Sequence, residues 1–139
     1  MKGGTGKTTT ALNLAFEFSA EGKAVLCIDL DGQCNLTSYF EPRIDRQRPA
    51  ITEIIMKKQD LASGITHSQY HELDFIAGSE KIGSLAQADS SILSNCLNDI
   101  GDLYDFCIID CHPHFSVISG GSCIRFHLGA DPVRWVFTG

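Results

Sequence analysis

Phosphate chemistry needs backbone donors that curl around an anion, a cation that reaches it and a hydroxyl for a metal. The stretch GGTGKT at residues 3–8 supplies all three. Gly3, Gly4 and Gly6 let backbone N–H groups turn toward a phosphate, with Thr5 between them. The Lys7 ammonium is long enough to reach β- and γ-oxygens, and the Thr8 hydroxyl is a magnesium ligand. A helix starting here adds the positive end of its dipole. The strict phosphate-loop spelling G-x-x-x-x-G-K-[ST] asks for glycine where residue 1 is methionine. The match is therefore to a variant form in which a second lysine, Lys2, precedes the paired glycines. In isolation, a glycine-rich turn with a chance Gly-Lys-Thr reads the same way.

Two carboxylates raise the weight of the phosphate reading. Asp31 follows the apolar run AVLCIDL, and Asp110 closes the run DFCIID. Open α/β sheets bind ligands outside the carboxyl ends of their strands, which is where both side chains are expected. One could orient an attacking water while the other holds a magnesium shell, the division of labour that phosphoryl transfer requires. Either aspartate alone reads as a solvated turn residue or helix cap. A glycine loop and two strand-end carboxylates in this order outweigh that reading.

The elements that must position these groups follow from the apolar pattern. Ala11, Leu14, Ala15 and Phe18 recur at i, i+3, i+4 and i+7, predicting a helix from Thr8 to a cap near Gly22. The nearly continuous run at 24–30 predicts a strand buried on both faces, and 105–110 predicts another. Between them, 50–58 reads as a short helix after Pro49, 72–78 as a strand, and 80–103 as a longer helix. Strands alternating with helices imply right-handed crossovers, hence an α/β fold with a parallel sheet and helices on both faces. The final stretch departs from this pattern, with VRWVF its one candidate strand.

Composition narrows the function classes. At 139 residues the chain is one domain at most, and its 43% hydrophobic and 20% charged content reads as globular rather than disordered. A net charge of -6, from 11 basic and 17 acidic side chains, gives no overall electrostatic footprint for nucleic acid. No apolar run reaches the roughly 20 residues that span a bilayer, and no signal peptide opens the chain, so the expected compartment is the cytoplasm. The six cysteines form no CxxC pair, which leaves zinc or iron–sulfur ligation without its usual spacing. Cys111, His112 and His114 stand too close along the chain to converge on one tetrahedral ion, so a polar loop is the preferred reading.

Taken together, KGGTGKTTTALNLA, VLCIDLDGQCNLT and YDFCIIDCHP resemble the deviant Walker A, Walker A′ and Walker B regions of the ParA/MinD family of partition and positioning ATPases, and the ParA branch in particular. The resemblance runs from about Lys2 to Pro113. It implies ATP and Mg²⁺ as cofactors, an ATP-dependent homodimer, a ParB-like partner that stimulates hydrolysis, nonspecific DNA as the track, and no membrane. By the same resemblance, Lys2 reaches the phosphates of the partner subunit. Gly3, Gly4, Thr5, Gly6, Lys7, Thr8 and Thr9 form the cradle, with Thr8 on the metal. Asp31 positions the hydrolytic water near the metal, Asp110 is the Walker B carboxylate beside it, and Asp29 is a weaker candidate.

Departures from the family pattern set further expectations. The A′ motif usually reads DxDPQGN, whereas Gly32 stands for proline and Cys34 for glycine, and His112 replaces the first proline of DCPP. Residues 1–113 are expected to form a partial ParA-like ATPase domain, with 114–139 a divergent segment. The fold is expected to lack its first strand, encoded upstream, and its C-terminal strands with the adenine contacts and much of the DNA surface. The competing function is a non-catalytic remnant that binds nucleotide weakly or not at all. A MinD-like membrane role would need a C-terminal amphipathic helix, and a nitrogenase-iron-protein-like role would need cluster-holding cysteines. The sequence displays neither.

Overall fold

A computed structural model describes residues 5–40, 47–57, 59–70, 72–85, 100–111 and 134–138. Helix α1 (Thr5–Ala20) leads into strand β1 (Val25–Leu30), followed by α2 (Asn35–Phe40) and α3 (Ile51–Lys57). A 3-10 turn at Leu61–Gly64 precedes β2 (Ile65–His67) and β3 (Leu73–Ile76). Further 3-10 turns lie at Glu80–Leu85 and Gly101–Leu103, before β4 (Phe106–Cys111) and β5 (Arg134–Thr138). The strands form one five-stranded sheet in the order β2-β3-β1-β4-β5.

All six residues of β1 are buried, as a strand between two covered faces requires. Its alternation divides the core. Val25 and Cys27 join Leu73, Phe75 and Ile108 beneath Ala11 and Ala15 of α1 and Leu36 and Phe40 of α2. Leu26, Ile28 and Leu30 join Ile76, Cys107 and Ile109 on the other face, beneath Ile51, Ile54 and Ile55 of α3 and Leu61 and Ile82 of the 3-10 turns. Helices on both faces of a mostly parallel sheet agree with the expected α/β class.

Local chemistry explains how α1 hands the chain to β1. Gly22 has φ +82°, the left-handed conformation that glycine adopts without a Cβ clash. Its N–H donates to the Ser19 carbonyl at 3.0 Å and that of Lys23 to Phe18 at 3.0 Å, the paired closing bonds of a Schellman cap. Three residues later β1 begins, parallel to both β3 and β4, with Val25 opposite Leu73 on one side and Phe106 on the other.

The structure corrects the sequence expectation in several places. The sheet is not wholly parallel: β2 pairs antiparallel with β3, His67 opposite Asp74. The connection between these strands is too short for a crossover, so a hairpin is the geometry available. Helix α2 forms where the sequence pattern predicts no element. The helix expected over 80–103 is, at both described ends, 3-10 turn rather than α-helix, and Gly83 and Gly101 there weaken α-helix; residues 86–99 lie outside the described residues. Within the candidate strand VRWVF, residues from Arg134 on do form a strand: β5 runs parallel along β4 with Phe106 opposite Arg134 and Asp110 opposite Thr138. Part of the stretch expected to diverge therefore belongs to the same sheet.

Candidate nucleotide site

Because β1, β3 and β4 run parallel, their carboxyl ends share one edge of the sheet. Asp31 follows β1 there, Gly78 follows β3, and Asp110 is the penultimate residue of β4. Thr8, in the first turns of α1, reaches the same edge. Its hydroxyl donates to Asp110 Oδ2 at 2.8 Å, joining groups 102 residues apart in sequence. Both are buried. The first turn of α1 itself contributes no acidic side chain against an anion at the helix's positive end.

Three of the expected site residues, Thr8, Asp31 and Asp110, thus converge at the carboxyl edge. The backbone of Thr5, Gly6 and Lys7 opens α1, and Thr9 is exposed on the same helix. Lys2, Gly3 and Gly4 lie outside the described residues, as do His112 and His114. Among the described residues no group of three His, Cys, Asp or Glu side chains comes together as a metal cage. A hydroxyl and a strand-end carboxylate are instead the hard-oxygen pair that suits magnesium, an ion that keeps waters and takes further ligands from substrate phosphates. The residues present fit that ion with a nucleotide.

Asp31 is held by its own turn. Its Oδ1 accepts the Gln33 N–H at 2.9 Å, and its carbonyl accepts the Cys34 N–H at 2.9 Å, so the chain folds back before α2 begins. Cys34 sits at φ +54° in the left-handed region. Burial raises its thiol to about 11, with the carboxylates of Asp29, Glu80 and Asp31 adding to the effect.

The sequence underrated one residue and missed two. Asp29 is the register partner of Asp110, is 1% exposed, and is pushed up to about 6 chiefly by burial. Its Oδ1 accepts the Asp31 N–H at 3.0 Å, and its Oδ2 accepts both the Thr37 N–H at 2.8 Å and the Thr37 hydroxyl at 2.6 Å. Those bonds pull the value down, against the burial. The Thr37 oxygen in turn accepts the Gly78 N–H at 2.8 Å. A Cβ at Gly78 would stand 2.8 Å from the Asp29 carbonyl oxygen and 3.0 Å from its Cγ, closer than side chains approach. The first aspartate of a DxD pair was the one available signal; neither Thr37 nor Gly78 carries a recognisable spacing.

Comparison with known proteins agrees with this fold. The family model described as an AAA domain, AAA_31, matches residues 1–123. A virulence plasmid ParA family protein of Chlamydia psittaci is 32% identical over 125 residues, which cover 85% of this chain and 48% of that protein. Apo McdA from Cyanothece superposes with a TM-score of 0.75 at 26% identity, over 87% of this chain and 52% of that one. A plasmid partition protein of Borrelia burgdorferi B31 bound to AMPPNP superposes with a TM-score of 0.70 at 30% identity, over 81% and 50%. The chain thus spans about half the length of these relatives. By the family model over residues 1–123 the chain belongs to the AAA_31 family, and its mostly parallel sheet is that of the ParA/MinD-type P-loop ATPases.

Proposed function

We propose that this chain is the nucleotide-binding part of a ParA-like partition or positioning ATPase, one that binds ATP with Mg²⁺ and hydrolyses it. The observation that carries the reading is the buried 2.8 Å bond from the Thr8 hydroxyl to Asp110. It joins a helix-borne hydroxyl to a strand-end carboxylate, the pair that would hold the metal on this reading. Bound magnesium would draw charge from the β- and γ-phosphates. Thr8 and Asp110 would hold that ion's shell, while Lys7 and the first N–H groups of α1 would bind phosphate oxygens. Asp31, on the neighbouring strand end, orients a water and accepts its proton.

On this reading the full protein dimerises on ATP through Lys2, which reaches the partner subunit's phosphates. It works in the cytoplasm with a ParB-like partner and nonspecific DNA. Support comes from the spelling of the loop and from relatives that are plasmid partition and ParA family proteins. Two variants test separate parts of the reading. Lys7→Ala is expected to lower ATP hydrolysis by about a hundredfold, the scale of losing one charge-stabilising donor; hydrolysis at the parent rate would refute the cradle. Lys2→Ala is expected to leave nucleotide binding in place and abolish the ATP-dependent dimer seen by light scattering. A dimer unchanged in that variant would count against the shared-lysine mechanism.

A further inference from the structure

Asp29 accepts three hydrogen bonds at the carboxyl edge, and the proposed hydrolysis gives it no task of its own. Its two oxygens take three donors from the Asp31–Thr37 turn: the Asp31 N–H on one side, and the Thr37 N–H and hydroxyl on the other. Thr37 passes the hold to the neighbouring end of β3 by accepting the Gly78 N–H. Gly78 lies so close to Asp29 that any side chain there would collide with it. The turn is also packed from outside: a Cβ on Gly32 would stand 3.2 Å from Ile82 Cγ2.

We propose that Asp29 is the positioning residue of this site, fixing the Asp31 carboxylate relative to the Thr8–Asp110 pair through a clamp made of Asp29, Thr37 and Gly78. The inference rests on the ATPase reading above, because Asp31 is the group being positioned. The clamp itself is made of this chain's own residues. Each link has a distinct duty: Asp29 supplies the acceptors, Thr37 is donor and acceptor at once, and Gly78 allows the end of β3 to approach. A turn held only by its own Asp31–Gln33 and Asp31–Cys34 bonds would be free to move as a unit. The three bonds to Asp29 in β1 and the Thr37–Gly78 bond to the neighbouring end of β3 remove that freedom.

Thr37 offers the cleanest test, since Thr37→Val keeps shape and volume while removing the hydroxyl, and Thr37→Ser keeps the hydroxyl. Misplacing a reacting group by an ångström costs on the order of a hundredfold in rate. Thr37→Val is accordingly expected to lower kcat by at least about tenfold while the Kd for Mg-ATP, measured by calorimetry, changes by less than about threefold. Thr37→Ser is expected to return kcat to within about twofold of the parent. A second readout needs no turnover: amide hydrogen exchange at Asp31, Thr37 and Gly78 is expected to accelerate by about tenfold or more in Thr37→Val and to return to the parent rate in Thr37→Ser. Unchanged exchange in Thr37→Val overturns the clamp. Faster exchange with unchanged kcat, or equal losses of kcat and nucleotide affinity, overturns the positioning role. A parent chain that neither binds nor hydrolyses Mg-ATP refutes the ATPase reading and with it the positioning role, while the exchange data still decide whether the clamp exists.

Discussion

Single residues at this site show how environment sets behaviour. Cys34 takes a left-handed backbone, at a cost of roughly 1–2 kcal/mol for an L-residue. Glycine removes that cost but gives back about 0.5–1 kcal/mol in unfolded-chain entropy. Alanine keeps the cost and loses the thiol's weak 3.8 Å contact to the Gly32 carbonyl. We therefore expect Cys34→Gly to unfold at a higher urea concentration than Cys34→Ala, by about 1 kcal/mol; equal midpoints would show that the turn carries no strain. The buried thiols behave differently. Burial, with the Asp110 charge adding to it, lifts Cys27 from 9.0 to about 12. Because the folded value lies above the unfolded one, this contribution to stability is complete below about pH 9 and is lost as pH rises toward 12. The urea midpoint is expected to fall above about pH 9, and to fall less steeply in Cys27→Ala. The same slope in that variant would contradict the assignment.

Elements explain what the sequence made visible. Strands β1 and β4 were legible because both faces of each are covered, which forces a continuous apolar run and leaves their terminal aspartates conspicuous. Helix α1 was legible through its 3.6-residue stripe. By contrast α2, six residues with only Leu36 and Phe40 buried, is too short for a period, and the three residues of β2 carry none. Its antiparallel pairing comes from the brevity of the hairpin, a property of the connection rather than of the strand. Asp31 and Asp110 could be found from strand ends, yet Thr37 and Gly78 could not: their role comes from the ends of β1 and β3 meeting in space. Glycines provide a test at this scale. Gly78→Ala must displace the Asp29 backbone, whereas a Cβ at Gly83 meets nothing within 4 Å. Gly78→Ala is expected to cost about 1–3 kcal/mol, the scale of overpacking, and Gly83→Ala to be neutral or stabilising by up to about 1 kcal/mol. Equal urea midpoints for the two variants would show that the approach of Gly78 to Asp29 is not tight.

At the scale of the whole molecule, the sheet is a device for bringing distant sequence to one edge. Thr8 and Asp110 meet because α1 crosses the face of a sheet in which β1 and β4 lie side by side. β5 continues that sheet beyond β4, so the strand carrying Asp110 is paired on both sides rather than lying at an edge. Among the described residues no helix is long and apolar enough to cross a membrane. The central claim is that this arrangement binds Mg-ATP through the Thr8–Asp110 pair, and calorimetry on the 139-residue chain tests it most directly. We predict a magnesium-dependent binding isotherm for ATP that weakens by about tenfold or more in Thr8→Val, where the metal-facing hydroxyl is gone and the volume is kept. Absence of binding by the folded parent chain, or binding equally strong in Thr8→Val and without magnesium, would contradict it.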